Sequence, residues 1–123
     1  ATREWEVVGI ESDAWACRTA RLAAPLGFTI VEGRAEDRLA DVLPADLLIV
    51  NPPRAGLSSD VVEAVSRAPA RRLIYVSCDP ATLGRDIDRL RGTYVPGHVQ
   101  CFDLFPQTAH VETVIEMRAK EDL

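Results

Sequence analysis

Cysteine is scarce in this 123-residue chain and poorly spaced for a framework: Cys17, Cys78 and Cys101 are odd in number and form no CxxC pair. That pattern argues against a disulfide scaffold and against a zinc site, so no metal is expected. No apolar run approaches the roughly 20 residues of a membrane span, and no signal-like start is present. A soluble chain in a reducing, cytoplasmic setting follows as the expectation. Positive charge is short as well, with 14 Lys and Arg against 19 Asp and Glu and a net charge of −5. Gripping nucleic acid by overall charge is therefore excluded, and a polyanion partner would have to be held locally or by other segments. Repeats, low-complexity stretches and linkers are absent, and the length fits one domain. The chain opens with Ala1 rather than Met, and strand character begins at Glu6, which reads as a fragment of a longer parent.

What is present alternates between two periods. Glu6 to Glu11 reads as a strand, Asp13 to Ala24 as an alanine-rich helix stopped by Pro25 and Gly27, and Phe28 to Val31 as a second strand. Glu36 to Leu43 suits a short helix, and Asp46 to Val50 is the continuous apolar run of a buried parallel strand. Ser58 or Ser59 is placed to cap a helix reaching about Ala68, with Val61, Val62 and Val65 on one face. Leu73 to Ser77 is the next strand, and Asp79-Pro80 opens a helix carrying Leu83, Ile87 and Leu90. Two extended segments, Val99 to Phe102 and Val111 to Met117, follow without a helix between them. Repeated strand and helix units imply an α/β fold with a mostly parallel sheet and an antiparallel last strand.

Ligands of such sheets bind beyond the carboxyl ends of the strands, where Glu11, Asn51 and Cys78 all fall. If the last strand runs antiparallel beside Leu73 to Ser77, His110 and Glu112 arrive at the same edge. Glu11 suits ribose hydroxyls, because a carboxylate accepts from both vicinal OH groups; a solvated turn acid is the alternative. Asn51-Pro52-Pro53-Arg54 presents an amide and a donor-poor backbone to a planar base, or is simply a proline-stiffened turn. Cys78 stands at a helix start, where the dipole and unpaired N–H groups favour negative charge, whereas Cys17 and Cys101 read as small buried hydrophobes. A thiol and a carboxylate at one edge suit covalent attack on an electron-poor ring followed by base-assisted release. Alternatively, Glu112 points to solvent and His110 is structural.

Taken in order, Asn51-Pro52-Pro53-Arg54-Ala55-Gly56, Tyr75-Val76-Ser77-Cys78-Asp79-Pro80-Ala81-Thr82-Leu83, Arg85-Asp86 and Phe102 to Glu112 resemble the RNA uracil-5-methyltransferases that use S-adenosylmethionine. The likeness covers roughly residues 6–118 and is nearer to the 23S ribosomal RNA branch than to the tRNA-specific one. It implies a Rossmann-like methyltransferase fold, RNA as partner, Cys78 as nucleophile, Glu112 as proton acceptor, and Glu11 and Asn51 as cofactor-binding residues. It also implies that a first strand and glycine-rich loop, with further N-terminal domains, belong to the parent and precede Ala1, so that these residues alone are expected to be inactive. Arg34 stands near a position that is usually Asn or Asp in the family, with Glu36 or Asp37 as substitutes. Two other readings are a non-catalytic RNA-binding or assembly module of the same fold, and a different base methyltransferase in which Asn51-Pro52-Pro53 orients an amino group and Cys78 is structural.

Overall fold

Two parallel and two antiparallel strand pairings account for the sheets in the computed structural model, which describes residues 5–103 and 111–122. The chain divides between Val42 and Leu43 into two compact parts. In the first, β1 (Val7–Glu11) pairs in parallel with β2 (Phe28–Glu32), from Val7 opposite Phe28 to Glu11 opposite Glu32. Helix α1 (Ala14–Ala23) begins where Asp13 accepts the Trp15 N–H, satisfying one of the donors a helix start leaves open. Helix α2 (Ala35–Val42) follows β2 and ends one residue before the expected Leu43. Cys17 and Leu39 are the hydrophobic side chains that bury among the described residues of this part.

The second part holds a four-stranded sheet in the order β3-β4-β6-β5. Strand β3 (Leu47–Val50) leads through α3 (Ser59–Arg67) to its parallel partner β4 (Arg72–Ser77). Ser58 caps α3 through the Val61 N–H, and Val61 and Val65 are buried while Val62 is half-buried. Helix α4 (Pro80–Leu90) then crosses to β5 (Tyr94–Phe102), and β6 (Glu112–Ala119) returns between β5 and β4, antiparallel to both. Burial alternates along β4 and β6, so Leu73, Tyr75, Ile115 and Met117 share one covered face. Leu83 and Leu90 of α4 and Tyr94 join them, and Tyr94 donates its hydroxyl to the Ala70 carbonyl at 2.7 Å.

The expected α/β architecture and the antiparallel last strand are both present, with three differences. The strands form two hydrogen-bonded sheets rather than one. Strand β5 starts at Tyr94, five residues before the expected Val99, because an edge strand accommodates Pro96 and a register shift between Pro96 and Val99. Cys101 is exposed rather than buried, since it lies on that edge strand. No helix among the described residues is long and apolar enough to cross a membrane.

Candidate active site

Strand β4 stops at Ser77 because the next residues are committed to starting a helix. Asp79 caps α4, its Oδ1 accepting from Ala81 N–H at 3.0 Å and Thr82 N–H at 3.3 Å, and Pro80 fills the first helical position, where a missing N–H costs nothing. The Asp79 carboxylate, rather than the Cys78 thiol, therefore takes up the free amides of the helix. Ser77 ties the turn between them. Its hydroxyl accepts from Asp79 N–H at 3.1 Å and donates to Asp79 O at 2.9 Å, which leaves Cys78 presented, half-buried, at the end of the strand.

Glu112 comes to the same end. Ser77 is registered opposite Thr113, and both are buried. The register ends at that pair, so Cys78 follows the last paired residue of β4 and Glu112, also half-buried, precedes Thr113 at the same end of the sheet. Glu112 lies on the strand face of Val114 and Glu116, opposite the buried face, and pairs on its other side with Phe102 of β5. His110 and the Phe105 to Thr108 motif lie outside the described residues.

Asn51 is exposed immediately after β3 and begins a loop whose backbone is held by one stripe of α4. Thr82 Oγ1 donates to Arg54 O at 2.9 Å, Arg85 to Ala55 O at 2.7 Å, and Arg89 to Leu57 O at 2.9 Å. Asp86, fully buried, accepts the Leu57 N–H at 2.9 Å and the Tyr75 hydroxyl at 2.6 Å on Oδ2, and Arg85 and Arg89 on Oδ1. Burial alone would raise the Asp86 carboxyl, but the hydrogen bonds from Tyr75, Leu57, Arg85 and Arg89 outweigh it and hold the group below its ordinary value. Burial, then the Asp86 hydrogen bond and charge, push Tyr75 well above the usual tyrosine range. Sequence reading gave Asp86 no role. Its signal was the polar spacing Thr82, Arg85, Asp86 and Arg89, which is i, i+3, i+4 and i+7 on a helix.

Glu11 ends β1 in the first part of the chain. Its Oε1 accepts the Asp13 N–H at 3.2 Å, while its main-chain oxygen accepts from Gly33 N–H at 2.9 Å and the Cys17 thiol at 3.2 Å. The carboxylate remains exposed and carries an acceptor oxygen suited to vicinal hydroxyls. Arg34 pairs with Glu36 at 3.1 Å, so Glu36, one of the two acids named as substitutes at this position, is engaged by Arg34. Among the described residues no group of three or more His, Cys, Asp and Glu side chains could hold a metal ion.

Comparison with known proteins gives a consistent answer. An uncharacterized RNA methyltransferase from Gloeobacter violaceus is 45% identical over 113 residues, covering 88% of this chain and 24% of that protein. The crystal structure of the Pyrococcus abyssi tRNA (uracil-54, C5)-methyltransferase in complex with S-adenosyl-L-homocysteine aligns with a TM-score of 0.80 and 33% identity, over 92% of this chain and 29% of that one. TrmN from Thermus thermophilus, at 18% identity and a TM-score of 0.65 over 91% of this chain and 36% of that one, shares the fold. The chain thus spans about a quarter of the length of these uracil-methyltransferase and RNA-methyltransferase relatives. A family model described as tRNA (Uracil-5-)-methyltransferase matches residues 17–120, and the chain belongs to that family.

Proposed function

We propose that this chain is part of an enzyme that methylates C5 of a uridine in RNA with S-adenosylmethionine. The observation that supports the reading is the β4–β6 register, in which Cys78 follows Ser77 and Glu112 precedes Thr113, the last paired residues, at one end of the sheet. C5 of uracil is a weak nucleophile until a group adds at C6. The Cys78 thiolate forms the Sγ–C6 bond, and the C5–C6 π electrons move into an enolate whose C5 is nucleophilic. The cofactor, when bound, supplies an electrophilic methyl group to C5. The Glu112 carboxylate then takes the remaining C5 proton; the released electron pair restores the C5–C6 double bond and expels the Cys78 thiolate.

Cofactor binding falls to Glu11 and Asn51. The exposed Glu11 carboxylate suits the ribose hydroxyls, and the Asn51 amide supplies donor and acceptor groups beyond β3. The uridine has to leave its stack to reach Cys78, which points to a loop in the RNA. The overall likeness to the 23S ribosomal RNA branch favours ribosomal over transfer RNA.

RNA containing 5-fluorouridine tests the reading, because a fluorine at C5 cannot be removed as a proton and the adduct is trapped. The full-length protein carrying this segment forms a covalent complex on denaturing gels, Cys78→Ala forms none, and Glu112→Gln still forms it. An adduct that survives Cys78→Ala would sink the mechanism. Offering 23S ribosomal and transfer RNA transcripts separately decides the substrate.

A further inference from the structure

Asp86 is an expensive residue to bury. A carboxylate without access to water is tolerated only when paired and fully hydrogen-bonded, and such a cluster is often no more stable than apolar side chains of the same volume. Stability is thus a poor reason for it, and geometry is a better one. Its two oxygens collect donors from three separate places: the Leu57 amide in the loop after β3, the Tyr75 hydroxyl three residues before Cys78, and the arginines of α4, the helix that starts after Cys78. The same arginines reach past it to the carbonyls of Ala55 and Leu57, and Thr82 reaches that of Arg54.

Gly56 shows how closely the loop is drawn in. Its φ is +82°, and a Cβ there would lie 2.4 Å from Thr82 Cγ2 and 2.5 Å from Asp86 Oδ2. We propose that Asp86 is a positioning residue of the site, fixing the Asn51–Leu57 loop against the strand and helix that present Cys78. Neither of its oxygens is free to touch substrate or cofactor; it acts through the loop. The functional consequence rests on Asn51 facing the cofactor, as proposed above. One carboxylate then sets both the methyl-donor side of the site and the strand end that carries the nucleophile, and loosening it weakens cofactor capture before it slows chemistry.

The test uses the full-length protein with Asp86→Asn, which keeps the shape and removes the charge, and Tyr75→Phe, which removes one donor and leaves the carboxylate in place. Native-state hydrogen exchange at the Gly56 and Leu57 amides is expected to speed up by about 10-fold or more in Asp86→Asn, and less in Tyr75→Phe. The KM for S-adenosylmethionine should rise about 10-fold with kcat at saturation within about threefold. Unchanged loop exchange in both variants overturns the proposal, as does a lower Tm with unchanged KM in the folded fraction. If Asp86→Asn does not fold, Tyr75→Phe decides alone by the same readouts. A wild-type protein that forms no fluorouridine adduct and has no turnover removes the functional reading, while the loop exchange still decides the role of Asp86.

Discussion

The two parts of the chain share one building plan, strand then helix then strand, yet they differ sharply in how much they bury. After Leu43, both helices and three of the four strands contribute fully covered apolar side chains; before it, Cys17 and Leu39 bury, while Trp15 and Leu22 of α1 stand 70% and 86% exposed. A two-stranded pair with so little covered surface is marginal by itself, whereas four strands backed by helices suffice for a core. The lesson concerns the division of labour. The proposed covalent chemistry falls in the part with the core, and Glu11, the proposed ribose-binding acid, in the part with little. Reacting groups need fixed geometry, while an exposed carboxylate binding hydroxyls does not need deep support.

The comparison can be broken most directly by activity. Glu112→Gln in the full-length enzyme should lower turnover on its RNA by about 10²- to 10⁴-fold, the usual span for a lost general base, while Glu11→Gln should raise the KM for S-adenosylmethionine by about 10- to 100-fold with kcat nearly kept. Equal effects of both on kcat would erase the division. Next in size is Gly56→Ala. At φ +82° with side-chain atoms within 3 Å of the added carbon, it should cost about 1–3 kcal/mol, read by denaturant unfolding, and the loss should appear in hydrogen exchange of 43–122 before 5–42.

Titration sharpens the contrast further. Burial first, then Glu32, pushes the Cys17 thiol above its ordinary 9.0, so the first part should start losing stability as pH rises past 9, where the unfolded thiol ionises and the folded one resists. Burial pushes Tyr94 up to about 12, and Tyr75 higher, so the second part holds until about pH 10 and weakens above it. Both tyrosines of the chain lie after Leu43, and phenolate absorbance reports that part alone. The acid side has the opposite sign. The Asp86 contribution is complete above its ordinary 3.8 and disappears as pH falls through its lowered folded value, a loss confined to the second part and visible in hydrogen exchange. The smallest test is chemical: a thiol reagent should modify exposed Cys101 and half-buried Cys78 well before buried Cys17.

Much of the fold was legible because its signals are local. Asp79 announced a helix start that the structure bears out to the residue, Ser58 or Ser59 announced one that Ser58 caps, the helix read from Asp13 begins at Ala14, and the apolar run before Asn51 announced a parallel strand. The arrival of the Glu112 end of β6 at the Ser77 end of β4 was reachable once an antiparallel last strand was assumed. Three things were not legible. Strand β5 hid behind Pro96 and Gly97, which break the alternation of a strand yet are acceptable on an edge. The separation into two sheets depends on which strands hydrogen-bond, and no residue pattern announces that. Asp86, named only as part of the resemblance, received no role because a charged residue on a helix reads as solvated until its partners, 11 and 29 positions away at Tyr75 and Leu57, are placed around it.

The irregularity in β5 has a consequence for the protein's behaviour in a crowded solution. A nine-residue outer strand would ordinarily offer a continuous row of amides and carbonyls to any passing chain, the first step of strand-by-strand aggregation. Pro96 removes one amide from that row, and the register shift between Pro96 and Val99 bends the rest out of line. What looks like a flaw in the ladder is thus a stop, one that ends the growth of the sheet at the strand beside Glu112.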